Sequence, residues 1–254
     1  MGIATAIGDV LRAAFGKPKK SRYTAAVVLA GGNSTRMGEG VSKQQLLLRG
    51  VPVIVRTLLA FDGAEEIDEI VLVAKKDELS VYENYREQFG IAKLCRIVEG
   101  GDTRQASAAR GFTAVSEKAA FVAIHDGARC LVTSAEIDEV CRAAYRYGAA
   151  TAAVPATETV KREKDGFIEE TVDREHVYLA RTPQVFGTNL YRAALAMAKK
   201  DNITVTDDCG LVEHIEHPIR LVPCSADNIK ITTPNDIFHA TAILVEREDK
   251  EASL

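Results

Sequence analysis

Leu29-Ala30-Gly31-Gly32-Asn33-Ser34-Thr35-Arg36-Met37-Gly38 follows without a break from the apolar run Ala25-Ala26-Val27-Val28. A short apolar run ending in small residues reads as a buried strand that enters a turn. With so little side-chain bulk, backbone N–H groups in such a turn can approach and cradle phosphate oxygens. Two common phosphate loops are excluded here. The pattern G-x-x-x-x-G-K-[ST] fails because no Lys-Ser or Lys-Thr follows Gly38, and G-x-G-x-x-G fails on spacing. Glycine alone also suits an ordinary strand-to-helix turn. Arg36 inside the loop and Lys43 just beyond it, in Ser42-Lys43-Gln44, add the cations that a triphosphate requires.

Outward from this loop, β-branched runs at 70–74, 121–124 and 149–154 alternate with helical spacing near 52–62, 77–89, 104–117, 134–147 and 189–200. Such alternation implies βαβ units: an α/β, Rossmann-like fold with a twisted, mostly parallel sheet flanked by helices. Ligands of such sheets sit beyond the carboxyl ends of the strands. Between Pro155 and Arg174 the pattern changes to two polar, alternating runs around Lys164-Asp165-Gly166. This is a hairpin signature, and it predicts a projecting β-hairpin arm over 156–172.

At 254 residues the chain suits one main domain, since single cores stop growing at roughly 250–300 residues. We expect that domain over 23–247, with an amphipathic helix and basic linker over 1–22 and an acidic tail over 248–254. The helix carries Ile3, Ile7, Val10, Leu11, Ala14 and Phe15 on one face and stops at Gly16-Lys17-Pro18. It reads as docking on the body or on a partner subunit, without a catalytic role, and the tail from Glu246 reads as frayed. A net charge of −4 excludes the global cationic field of a nucleic-acid binder. Phosphate handling must then rest on a local basic cluster. Five cysteines, odd in number and widely separated, read as reduced thiols without disulfide or structural metal. With neither a bilayer-length apolar run nor a signal-peptide pattern, a cytoplasmic location is expected.

Further segments share the small-residue loop's chemistry. Gly100-Gly101-Asp102-Thr103-Arg104-Gln105-Ala106-Ser107 and His125-Asp126-Gly127-Ala128-Arg129 fall at strand ends. Thr159 and Lys161 lie on the arm, and Thr171-Val172-Asp173-Arg174 follows it. Arg181-Thr182-Pro183-Gln184, Thr206-Asp207-Asp208 and Asp227-Asn228-Ile229-Lys230-Ile231-Thr232 complete the series. Singly, each has a bland reading: His125 as a satisfied core histidine, Thr182-Pro183 as a helix start, Asn228-Ile229-Lys230 as a surface turn. Together and in this order they resemble the nucleotidyltransferases that activate sugar phosphates, and among them the 2-C-methyl-D-erythritol 4-phosphate cytidylyltransferases, over about 23–245.

This resemblance implies CMP transfer from CTP to 2-C-methyl-D-erythritol 4-phosphate, with release of pyrophosphate, in isoprenoid precursor synthesis. It implies Mg²⁺ as cofactor, with no protein ligand identified, and a homodimer formed through the arm. Arg36, Lys43 and Lys230 would be catalytic, holding the triphosphate and the charge developing at the α-phosphoryl group. Ala30, Gly31, Gly32, Gly100, Gly101, Ser107 and Asp126 would bind the nucleotide. Asp126, Arg129, Thr159, Arg174, Thr182 and Thr206 would bind the acceptor, with Thr159 and Arg174 reaching a neighbouring site. Ser34, Ser42, Cys130, Glu158 and Cys224 depart from the family pattern, Ser34 where a loop glycine is usual. A ribitol- or other polyol-phosphate cytidylyltransferase and a non-catalytic nucleotide-binding regulator are the alternatives. A dinucleotide-binding oxidoreductase would need a G-x-G-x-x-G turn with an acidic residue about 20 positions on, and the sequence has neither.

Overall fold

The computed structural model describes residues 22–32 and 42–253; the expected N-terminal helix, Ser34 and Arg36 lie outside them. Strands in chain order are β1 (Thr24–Leu29), β2 (Leu47–Leu48), β3 (Val51–Pro52), β4 (Glu69–Ala74), β5 (Leu94–Glu99), β6 (Phe121–Asp126), β7 (Ala149–Pro155), β8 (Val160–Lys164), β9 (Phe167–Val172), β10 (Tyr178–Gly187) and β11 (Arg220–Pro223). Helices are α1 (Val53–Gly63), α2 (Leu79–Gln88), α3 (Arg104–Thr113), α4 (Ser134–Tyr147), α5 (Thr188–Lys200), α6 (Asp208–His214) and α7 (Pro234–Ala252). The central seven-stranded sheet has the order β11-β7-β10-β6-β1-β4-β5. Only β10 runs antiparallel to its neighbours.

Every residue of β1 and β4 is buried, as expected of parallel strands covered on both faces. Alternation along β1 splits the core. Ala26 and Val28 pack with Ile54, Leu58 and Phe61 of α1, Tyr82 of α2 and Ile137 of α4. Val27 and Leu29 face Ala108 and Phe112 of α3, Tyr191 of α5 and Leu211 of α6. Each large apolar side chain so buried contributes roughly 1.5–3 kcal/mol. The site-bearing strand ends are therefore anchored from both sides. A third cluster, with Leu48, Val53, Leu131, Ile231, Ala240 and Leu244, seats α7 near β2 and β3.

The expected frayed tail is a correction: α7 continues to Ala252. Leu244 anchors it in the third cluster, and Arg247 Nη1 donates to the Leu131 carbonyl at 2.8 Å. Its surface charges are matched by Arg49–Glu248 and Lys250–Glu246 pairs, at 2.8 and 2.7 Å. The helix expected over 104–117 stops at Thr113, where the Ala114 and Val115 N–H groups turn back to the Gly111 and Phe112 carbonyls. The segment expected as a helix over 77–89 opens with a 3₁₀ turn, Lys76–Glu78, before α2.

In the arm, among the described residues, β8 and β9 pair only with each other. Asp165 (φ 52°) and Gly166 (φ 85°) supply the two positive φ angles that a two-residue hairpin turn demands. Just past the turn, Phe167 is 77% and Ile168 68% exposed.

Candidate active site

Beyond the carboxyl ends of β1, β4, β5 and β6 lies a cleft of about 600 Å³. Leu29, Gly31 and Gly32 line it from β1, Ala74, Lys75 and Lys76 from β4, and Glu99, Gly100, Gly101 and Asp102 from β5. Thr103, Arg104 and Ser107 contribute from the start of α3, Asp126 and Ala128 from β6, and Lys43, Gln44 and Lys230 close it. Lys43, Lys75, Lys76, Arg104 and Lys230 outnumber Glu99, Asp102 and Asp126. A net-acidic protein thus carries the local basic cluster that phosphate binding requires.

The β5–α3 turn is glycine for a steric reason. A Cβ on Gly101 would fall 2.6 Å from the Ala106 Cβ, and one on Gly100 would fall 2.9 Å from the Ser107 Oγ. The Gly101 N–H instead donates to the Ser107 hydroxyl at 3.0 Å. Thr103 caps α3 by accepting from the Ala106 N–H. The positive end of that helix dipole therefore belongs to the cleft wall, where an anion is favoured.

Asp126 organises the floor. Its carboxylate accepts from Lys230 Nζ at 2.8 Å and Arg104 Nε at 3.2 Å, with Arg129 Nε at 3.8 Å. Burial alone would raise its pKa, but Lys230 and Arg104 hold it well below the usual carboxylate range. It is ionised at neutral pH. Arg104 also donates to buried Asp208 at 2.6 Å. Burial opposes its charge, but Asp208 and Asp126 raise its pKa above the ordinary arginine value, so it stays cationic. Burial pushes Asp208 up, against Arg104 and the Tyr191 hydroxyl that donates to it.

The remaining segments hold this floor in place. The Thr182 hydroxyl accepts from the Asp126 N–H at 3.1 Å and bonds His125 Nδ1 at 3.0 Å. Gln184 Nε2 donates to Asp207, while its Oε1 accepts from the Asp208 and Cys209 N–H groups, tying β10 to the start of α6. Asn228 donates to the Thr182 carbonyl at 3.0 Å and its own carbonyl accepts from Arg129 Nη1. Those bonds fix the backbone from which Lys230 reaches Asp126.

Of the residues expected from sequence, Lys43, Lys230, Gly31, Gly32, Gly100, Gly101, Ser107 and Asp126 share the cleft. Arg36 lies outside the described residues. Ala30 is 1% exposed and its N–H donates to the Val73 carbonyl at 2.7 Å, which leaves only its carbonyl for a ligand. Arg129 and Thr182 are buried beside the cleft, and the Thr182 hydroxyl is already engaged within the fold. Thr206 is exposed and does not line the cleft; neither do Thr159 and Arg174, exposed on and beside the arm. Arg174 Nη1 donates to the Thr157 carbonyl.

Sequence reasoning gave no role to Lys75, Lys76 or Arg104. The first two directly follow a buried strand, a position that could have flagged them; Arg104 sat within a quoted segment, but its bridging of Asp126 and Asp208 is a long-range contact. The departures find ordinary places. Cys130 packs in the third core cluster, Cys224 is partly buried against the main core, Glu158 is exposed, and the Ser42 carbonyl accepts from the Gln45 N–H.

A mostly parallel sheet that presents glycine-walled turns, clustered cations and a pinned carboxylate at its strand ends defines a nucleotidyltransferase. The family model described as IspD: 2-C-methyl-D-erythritol 4-phosphate cytidylyltransferase matches residues 24–246, and the chain belongs to that family. The 2-C-methyl-D-erythritol 4-phosphate cytidylyltransferase of Syntrophus aciditrophicus (strain SB) is 43% identical over 236 residues, covering 92% of this chain and 99% of the relative. That of Pelotomaculum thermopropionicum is 41% identical over 234 residues, covering 90% and 97%. The solved 4-diphosphocytidyl-2C-methyl-D-erythritol synthase of Anaerococcus prevotii DSM 20548 superposes with a TM-score of 0.79 at 29% identity, over 88% of this chain and 96% of that one.

Proposed function

We propose that this cleft binds CTP and that the protein transfers CMP to 2-C-methyl-D-erythritol 4-phosphate, giving 4-diphosphocytidyl-2-C-methyl-D-erythritol and pyrophosphate for isoprenoid precursor synthesis. The observation that carries this reading is the Asp126–Lys230–Arg104 constellation on the floor of a cation-rich, glycine-walled cleft. The attacking group is a phosphomonoester, whose second pKa near 6 leaves it mostly dianionic at neutral pH. No general base is needed. The obstacle is repulsion between two polyanions, so positioning and cationic stabilisation do the catalysis. Lys43 and Lys230, with Arg36, hold the triphosphate and the charge developing at the α-phosphoryl group, and Lys75 and Lys76 add to the field. His125 is fully buried, and burial lowers its pKa to about 3, so it stays neutral and plays no proton-transfer part. Gly31, Gly32, Gly100, Gly101 and Ser107 offer backbone and hydroxyl groups to the nucleotide, and Asp126 accepts from the acceptor's hydroxyls.

Magnesium fits this donor set in one way. Among the described residues no group of three or more His, Cys, Asp or Glu side chains gathers as a metal site. Asp126 is the buried carboxylate of the cleft, and Glu99 and Asp102 are exposed. A Mg²⁺ ion would be held chiefly by phosphate oxygens and water, with Asp126 beside it. It would neutralise charge shared between phosphate oxygens. The exposed Phe167 and Ile168 of the arm support a homodimer in which Thr159 and Arg174 serve the neighbouring site. Among the described residues no helix is long and apolar enough to cross a membrane, and the five cysteines form no disulfide; a cytoplasmic enzyme is the reading adopted. Phosphorus NMR of CTP, the acceptor, Mg²⁺ and the protein tests the reaction. New diphosphodiester signals together with pyrophosphate support it, and unchanged CTP contradicts it.

A further inference from the structure

Asp208 is 1% exposed and does not line the cleft, yet its carboxylate is tied to the cleft floor. Its Oδ2 accepts from Arg104 Nη1 at 2.6 Å, and Arg104 Nε donates at 3.2 Å to Oδ1 of Asp126. One guanidinium thus bridges a buried carboxylate and a carboxylate of the cleft. On the far side, Asp208 Oδ1 accepts from the Tyr191 hydroxyl. That phenol is fully buried, with its ring stacked on Phe186 at 5.3 Å and set edge-on to Phe112 at 5.0 Å. Burial keeps it protonated, and so a donor. A chain of contacts, Tyr191 to Asp208 to Arg104 to Asp126, therefore runs from the second core cluster into the cleft.

Local structure does not call for a carboxylate at position 208. Asp207 already caps α6, its side chain accepting from the Gly210 N–H. The Asp208 N–H is taken by Gln184 Oε1, a bond that any backbone amide could make. A buried carboxylate costs free energy that a neutral side chain of similar shape would not. Its charge holds Arg104 from behind. Guanidinium is a planar fork, so bonds at Nη1 and Nε together fix its plane. With Asp126 as its single counter-charge, Arg104 could swing toward a triphosphate in the cleft that it lines; the second carboxylate opposes that movement. Lys230, by contrast, is paired with Asp126 Oδ2 alone, at 2.8 Å.

We propose that Asp208, oriented by Tyr191, is a positioning residue that acts through Arg104 to hold Asp126 where it receives the acceptor's hydroxyls. This assignment rests on the role given to Asp126 in the reaction proposed above. Asp208→Asn should raise the KM for 2-C-methyl-D-erythritol 4-phosphate by roughly 10- to 100-fold, the scale of misplacing a positioning group. The KM for CTP should stay level or fall, because Arg104 is released toward the phosphates. Tyr191→Phe, which keeps both the ring and the Asp208 charge, should shift the acceptor KM in the same direction by less. In an Arg104→Gln background, Asp208→Asn should add nothing further to the acceptor KM, since the route through Arg104 is already cut. Without turnover, ¹⁵N NMR should show the Arg104 Nε–H exchanging with solvent faster in Asp208→Asn than in wild type. An unchanged acceptor KM in Asp208→Asn, or in Tyr191→Phe should the first variant not fold, would overturn the assignment. So would an equal rise in both KM values, a full further loss in the Arg104→Gln background, or an equally protected Arg104 Nε–H. Absence of wild-type turnover would instead count against the reaction itself, while the Arg104 signal would still report on Asp208.

Discussion

Lys230 and His125 show how two groups close to one carboxylate take opposite roles. Lys230 Nζ reaches Asp126 from the cleft side and is 36% exposed in its side chain. Its contact with a transferring phosphate would matter most in the transition state. Lys230→Ala should therefore lower kcat by on the order of 10²-fold or more, with Arg104 still beside Asp126 and the fold intact by circular dichroism. An unchanged kcat would remove Lys230 from the catalysis. His125 sits behind the same carboxylate with no exposure, its ring nitrogens facing the Thr182 hydroxyl and the Arg129 carbonyl. Burial lowers its pKa from 6.5 to about 3. Between those values the unfolded chain binds a proton that the folded chain refuses, so stability falls as pH drops from about 6.5 toward 3. The slope reaches about 1.4 kcal/mol per pH unit, or about 2 kcal/mol between pH 7 and 5. Urea unfolding of wild type and His125→Asn at both pH values checks this: the variant should lose less on acidification, and equal losses would contradict the argument. The bland reading of His125, a satisfied core histidine, agrees with its two partners in the fold.

At the scale of elements, the β-hairpin arm is the part that the rest of the chain does not explain. An isolated two-stranded hairpin is only marginally stable in water, yet among the described residues β8 and β9 pair with nothing else and expose Phe167 and Ile168. A second copy of the arm is the simplest self-complementary cover. If the proposed homodimer forms through the arm, deleting residues 160–170 should leave a monomer in sedimentation and raise the KM for the acceptor, with CTP affinity less affected. A fully active monomer would refute the shared-site account. The arm was legible because Asp165-Gly166 between alternating runs has few other readings. The buried strands β1, β4, β6 and β7 were legible as apolar runs. β5 was not, because exposed Cys95 and Arg96 interrupt its apolar pattern. Nor was β10, whose register shift at 181–183 breaks the period that reveals a strand. The acidic end of α7 misled for a related reason. It is anchored by Leu244 in the third core cluster and by Arg247, which donates to the distant Leu131 carbonyl, and such pairings do not show in local composition.

The whole molecule joins segments distant in sequence at one end of one sheet, and many of their residues support the site rather than face the cleft. Thr182, Gln184 and Asn228 hold neighbouring backbone, and Asp208 holds Arg104. From sequence, motif order pointed to the site, but it could not separate residues that face the cleft from those that brace it. That division follows from burial and bonding across the fold. Under the proposed function, the assembled end of the sheet is specific for CTP and 2-C-methyl-D-erythritol 4-phosphate. Pyrophosphate release with Mg²⁺, crossing CTP, UTP, ATP and GTP with 2-C-methyl-D-erythritol 4-phosphate and ribitol 5-phosphate, tests it most directly. Efficient release is expected only from CTP with 2-C-methyl-D-erythritol 4-phosphate. Efficient turnover of ribitol 5-phosphate without turnover of the methylerythritol phosphate, or equal use of another nucleotide, would contradict it.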